Sequence, residues 1–214
     1  MKNNIFLTSE SYTVLEDLVK FIDRDKFKKV LFVDTAGELF VKDGKETPWI
    51  DKSKKEIERL GFKITYFTVV GKTTKEIRKA FAGTDIVYMA GGDTFYLLGK
   101  MQETNSLQII REFVERGGIY IGQSAGSYIA GPSIEPVLDP TRIEDAEKLD
   151  GFDCANLVDF IVLPHFGRED VKEKYLKHRC KHVFGKGYKI ILLTDQQYVR
   201  VQEDGMYKIE EVNN

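Results

Sequence analysis

The sequence predicts an α/β protein built on a mostly parallel, doubly wound sheet, and three observations carry this expectation. Apolar runs of strand length alternate with stretches of helical period along most of the 214 residues. These runs are almost continuously apolar, the pattern of strands buried on both faces. Near the C-terminus the pattern changes to strict alternation on either side of Glu203-Asp204-Gly205, which marks a β-hairpin at a sheet edge.

Taken in chain order, a short strand-like run follows Asn4, and residues 12–22 place Val14, Leu15, Leu18 and Ile22 on one helical stripe. Residues 28–34 read as a strand. The stretch 35–49 is less regular, and 52–59, with its mixed charges, reads as a solvated helix face. A strand is expected over 62–70. Thr73 and Glu76 ahead of Ile77 form a capping-box pattern for the next helix. Further strands are expected over 85–90, 118–122, 158–163 and 188–193. A helix carrying Ile109, Ile110 and Phe113 precedes the second of these. Gly83, Gly117 and Gly187 each lie between a helical stretch and a strand, where a left-handed terminating residue belongs. A second irregular stretch covers 131–153. Loops of that length in a compact domain often shape a site.

Composition narrows the function. Hydrophobic residues make up 42% and charged residues 31%, as in ordinary globular proteins, and the length fits one domain over 1–214. Thirty-two basic against 34 acidic residues leave a net charge of -2, so nothing argues for a nucleic-acid or membrane partner. Cys154 and Cys180 lack metal-ligand spacing, and no long apolar span opens the chain, so a reducing cytoplasm with free thiols is expected. His178 and His182 lie four apart near Cys180, but no partner completes a ligand set. The expectation is a solvated helix surface and no metal.

Ligands of such sheets collect beyond the carboxyl ends of the strands. Gly122-Gln123-Ser124-Ala125-Gly126 sits at one such end. Gly-x-Ser-x-Gly at a sharp strand-to-helix turn lifts the serine hydroxyl clear of the sheet and lets the next amide, that of Ala125, face a developing oxyanion. Another strand ends at Gly91-Gly92-Asp93-Thr94, where two glycines permit close approach to a ligand. Asp93 reads equally as a helix N-cap. A serine needs a base, and His165, in Pro164-His165-Phe166, is the one histidine at a strand end. Asp195 follows a strand and could hold the imidazole. It also reads as a turn residue, and Asp34, at another strand end, competes with it.

Together, the segment from Gly91 to Leu98, the Ser124 pentapeptide and Pro164-His165-Phe166 resemble the peptidase E family of aspartyl dipeptidases, related to cyanophycinase, over most of the chain. The resemblance implies a flavodoxin-like sheet akin to class I glutamine amidotransferases, with serine in place of their cysteine. It implies Ser124 as nucleophile, His165 as base, Asp195 as third member, the amides of Gly92 and Ala125 as oxyanion donors, a small peptide as substrate, and no cofactor. One departure concerns specificity. The family's loop from the histidine to the arginine that pairs with an aspartyl side chain is shorter here. Arg168 reads either as its substitute or as a solvated residue at a helix start. Two further readings are a ligand-binding protein without turnover and a hydrolase of another amide. Amidotransferase chemistry is disfavoured by Ser124 and by Gly167, which stands where that class carries glutamate.

Overall fold

The apolar strands do stack into a parallel sheet, and their side chains divide it into two cores. The computed structural model describes residues 4–138, 143–146, 148–202 and 205–212. Among these, the elements run β1 (Asn4–Thr8), α1 (Ser11–Leu18), β2 (Lys29–Val33), α2 (Glu38–Lys42), α3 (Pro48–Arg59), β3 (Lys63–Phe67) and α4 (Thr74–Ala82). They continue with β4 (Ile86–Met89), α5 (Thr94–Glu103), α6 (Ser106–Glu115), β5 (Ile119–Gln123), α7 (Ala125–Ala130), β6 (Ile161–Pro164), β7 (Ile190–Leu193), β8 (Gln197–Val201) and β9 (Tyr207–Glu211).

The main sheet has the order β3-β2-β4-β5-β1-β8-β9. β3 through β1 are parallel, and β8 and β9 run antiparallel as the expected hairpin, with β9 at the edge. Successive side chains of a strand point to opposite faces. One core accordingly takes Leu31, Val33, Val87, Met89 and Tyr120 with Ile77, Phe81, Leu98, Ile109, Phe113 and Ile129 from α4 to α7. The other takes Val30, Phe32, Ile86, Tyr88 and Ile121 with Val14, Leu15, Leu18, Ile50 and Ile57 from α1 and α3. The central strands β4 and β5 are buried throughout.

Several details depart from the sequence reading. β6 and β7 form their own two-stranded parallel ladder rather than extending the main sheet, because β1 and the antiparallel β8 occupy the positions beyond β5. The stretch 35–49 contains a 3₁₀ turn, α2 and the start of α3, and α3 is amphipathic, burying Ile50, Ser53 and Ile57. Gly117 and Gly187 have the expected positive φ, 92° and 75°. Gly83 does not: at φ -88° it ends α4 by sharing its N–H between the carbonyls of Lys79 and Ala80, which needs no left-handed residue. Glu203 and Asp204 of the hairpin turn, and 139–142 and 147 of the second irregular stretch, lie outside the described residues.

The capping box is present, with Thr73 accepting from the Glu76 amide and the Glu76 carboxylate accepting from the Thr73 amide. A deeper tie joins three elements. The buried Ser127 Oγ accepts from the Thr8 amide at 3.0 Å and lies 2.8 Å and 2.9 Å from the carbonyls of Thr8 and Gly122. It thereby locks α7 to the ends of β1 and β5. Ser127→Ala leaves a buried amide without its acceptor, and we expect a loss of about 1–3 kcal/mol in urea-unfolding stability.

Candidate active site

At the end of β5 the chain reverses into α7 through Ser124, whose φ of 49° and ψ of -104° lie outside the usual regions for a residue with a side chain. Such a conformation costs about 1–3 kcal/mol and persists only where its surroundings enforce it. Here the flanking glycines allow the enforcement. A Cβ on Gly126 would sit 2.2 Å from the Met89 carbonyl oxygen, and one on Gly122 would sit 2.8 Å from the Gly126 backbone. The Ser124 amide donates to Thr8 O at 3.0 Å, and the Ser124 carbonyl accepts from the amides of Ser127 and Tyr128.

His165 follows β6 in a second left-handed conformation, φ 66°. Its amide donates to Ser9 Oγ at 3.1 Å, and Ser9 Oγ in turn donates to Leu193 O at 2.9 Å. The Phe166 amide also bonds to Leu193 O. These bonds tie the histidine loop to the end of β7, two residues before Asp195. The imidazole spans the gap: Nε2 is 3.0 Å from Ser124 Oγ and Nδ1 is 2.8 Å from Asp195 Oδ1. With the proton on Nδ1, the ring donates to Asp195 and its Nε2 is left to accept the serine proton. Of the two carboxylates considered from sequence, Asp195 meets the imidazole. Asp34 lies instead 3.5 Å from Lys54, and burial raises its pKa against the pull of that lysine.

The Gly91-Gly92-Asp93 segment passes over the serine. A Cβ on Gly91 would come within 3.1 Å of Ser124 Cβ, and Gly92, at φ 150°, has no room for one because Ala36 O would be 2.2 Å away. Asp93 does cap α5, its Oδ1 accepting from the Tyr96 amide at 2.8 Å, while its own amide donates to Ala36 O. The Ala125 amide opens α7 and has no carbonyl one turn earlier to receive it. Neither it nor the Gly92 amide donates within the turns, loops and caps of the described residues.

Arg168 sits behind this group and is well supplied with anions. It makes a two-pronged pair with Asp170, lies 3.1 Å from Glu10 Oε1 and 3.7 Å from Asp195 Oδ2. The hydrogen-bonded Asp170 raises the guanidinium pKa, and the guanidinium lowers that of Asp170. Glu10, His165 and Asp195 are close enough together to share a cation, but Arg168 already brings its charge to that space. Near Cys180, His178 is partly buried and Cys180 exposed; the side chain of His182 lies outside the described residues. Burial strongly raises the pKa of the other thiol, Cys154, which disfavours its nucleophilic form.

Sequence reasoning missed three residues of this region. Ser9 and Glu10 follow a strand end, and applying the strand-end rule to β1 would have found them. Trp49 donates from Nε1 to Gly91 O at 3.1 Å. Nothing in its local pattern signals that contact, which is made across 42 residues.

Comparison with known proteins places almost the whole chain in one family. The profile of peptidase family S51 matches residues 5–209. An uncharacterized peptidase of Listeria innocua is 28% identical over 201 residues, 94% of this chain and 93% of that one. One from Listeria monocytogenes is 32% identical over 79% of this chain and 81% of its own length. Peptidase E of Salmonella typhi is 33% identical over 65% of this chain and 56% of its own length. Among solved structures, a Listeria monocytogenes protein named for peptidase E superposes with a TM-score of 0.85 at 28% identity, covering all of both chains. A peptidase from an acI-B1 actinobacterium, at 18% identity and a TM-score of 0.73, shares the fold. The chain belongs to peptidase family S51 and is a serine-type peptidase.

Proposed function

We propose that this protein hydrolyses small peptides through an acyl-enzyme on Ser124, within a single domain. The observation that carries the reading is the continuous chain Ser124 Oγ–His165–Asp195, at 3.0 Å and 2.8 Å, set beside a serine held in a strained turn. His165 Nε2 takes the hydroxyl proton as Oγ bonds to the scissile carbonyl carbon, and the carbonyl oxygen gains the negative charge. The amides of Gly92 and Ala125 receive that charge. Backbone donors suit this task because they are fixed before the charge forms and need no reorganisation. The intermediate collapses as His165 passes the proton to the leaving amine, and the amine departs. Water then attacks the ester, His165 again removing a proton, and free Ser124 and the carboxylic acid are released. Asp195 keeps the ring in the tautomer that leaves Nε2 free to accept, and it stabilises the imidazolium.

Selectivity for aspartyl substrates has less support. An acidic side chain would need an unmet cationic charge, and Arg168 already faces Asp170, Glu10 and Asp195. Asp93, beside the nucleophile turn, caps α5 through one carboxylate oxygen and, as an anion, offers no charge to an acidic substrate side chain. We therefore read the substrate as a short peptide without a required acidic residue.

Two measurements check this. On the best-cleaved member of a dipeptide panel, Ser124→Ala should lose about a millionfold in kcat and Asp195→Asn about ten-thousandfold, with far-UV circular dichroism unchanged. Wild-type rates in Ser124→Ala would remove the nucleophile assignment. Across the panel, cleavage should show no preference for N-terminal aspartate; cleavage confined to aspartyl members would assign Arg168 to the substrate.

A further inference from the structure

We propose that Trp49 is a positioning residue for the oxyanion site, its indole N–H orienting the Gly91–Gly92 peptide so that the Gly92 amide faces the reacting carbonyl. The inference rests on the reading of Ser124 as nucleophile and adds to it a residue from a different part of the chain.

The argument begins with what this peptide lacks. Gly91 and Gly92 supply both torsions that rotate the unit between them, and neither carries a side chain to restrict rotation. Space forces the glycine at 92, where a Cβ would overlap Ala36 O, and favours one at 91, where a Cβ would crowd Ser124. The cost of that fit is a peptide that can flip, and a flipped peptide would turn a carbonyl oxygen toward a developing anion. Something outside the segment has to choose the orientation. The Asp93 amide bonded to Ala36 O anchors the next peptide but not this one.

Trp49 Nε1 supplies that choice through its 3.1 Å bond to Gly91 O. In a trans peptide the carbonyl and the N–H point in opposite directions, and the described residues contain no cis bond. Fixing Gly91 O toward the indole therefore fixes the Gly92 N–H away from it. Donation to the carbonyl also polarises the amide and strengthens its N–H as a donor, by about 10–30% per bond in condensed-phase estimates.

The indole is itself well held. Trp49 stands in the first turn of α3 behind Pro48, and its ring meets Phe40 edge-on at 5.3 Å. Ser53 Oγ donates to Trp49 O at 2.8 Å and lies 3.3 Å from Gln123 Oε1, which accepts from Tyr88 Oη at 2.6 Å. Successive turns of α3 thus reach Gly91, through Trp49, and the side chain of Gln123, the residue preceding Ser124, through Ser53.

The test is the rate at which a fluorophosphonate modifies Ser124, followed by intact mass. This reaction forms an Oγ–P bond, expels fluoride, passes the serine proton to His165 and places negative charge on the phosphoryl oxygen. Trp49→Phe keeps an aromatic ring against Phe40 and removes the donor together with one ring's volume, so the melting temperature is read beside the rate. We expect its limiting rate constant to fall about tenfold or more, its half-saturation concentration to change less than twofold, and its melting temperature to stay near wild type. Removing an oxyanion donor outright costs about 10²–10³. A limiting rate within twofold of wild type, with Ser124→Ala unlabelled, would overturn the role of Trp49 and leave the nucleophile standing. Labelling that persists in Ser124→Ala, or a wild-type protein that is not labelled, would overturn both. A loss that appears wholly in half-saturation or melting temperature would make Trp49 a packing residue and overturn the proposal.

Discussion

The crossing of α7 over the ends of β4 and β5 is the contact on which the rest of this structure depends. Gly126 lies so close to the Met89 carbonyl that no side chain fits between them. Gly122 also lies too close to the backbone of α7 for a side chain, where a Cβ would sit 2.8 Å from Gly126. This approach sets the angle of the turn, and the turn leaves Ser124 at φ 49° because no relaxed conformation joins a strand to a helix packed so tightly. The local strain is offset by burial. Every residue of β5 and α7 is buried, and Ser127 bonds the helix back to β1. The pentapeptide is therefore as much a packing device as a chemical one.

The other groups reach Ser124 by a different route. β6 and β7 are not hydrogen-bonded into the main sheet, so the ladder does not place His165 and Asp195. Side chains from the N-terminal segment do. Ser9 bridges the His165 amide and the Leu193 carbonyl, and Thr13 donates to the carbonyl of Asp195. β1 lies between β5 and β8 and delivers Ser9 beside the same strand ends that carry Ser124. The first strand of the chain thus registers the two sheets against each other. The charges behind the imidazole are arranged in the same spirit. Asp195 gives one oxygen to the ring and faces Arg168 with the other, and Glu10 and Asp170 meet the remaining charge of that guanidinium.

Much of this was legible before the fold was known. Continuous apolar runs at 86–89 and 119–121 announced buried parallel strands, because strands covered on both faces have no polar side to show. The alternation around Gly205 announced the hairpin for the complementary reason. The rule that ligands gather at strand ends picked out Ser124 and His165 and narrowed the carboxylate to Asp34 or Asp195; the structure places Ser124, His165 and Asp195 in one hydrogen-bonded chain. Gly83 illustrates the limit of such patterns. A glycine after a helix reads as a left-handed stop, but its amide found two right-handed carbonyl partners.

The sequence by itself determined the sheet strands, most of the helices and the chemical types at the strand ends, since these are local properties of spacing and side-chain character. Only the tertiary structure decided which carboxylate met the histidine: Asp34 and Asp195 look alike in the chain, and packing sent the first to Lys54 and the second to the imidazole. It also decided that Arg168 would turn inward to carboxylates, and that Trp49 would cross 42 positions to reach Gly91. Such choices depend on directions between distant segments. Those directions are set by how helices settle on the two faces of the sheet, and no local pattern encodes them.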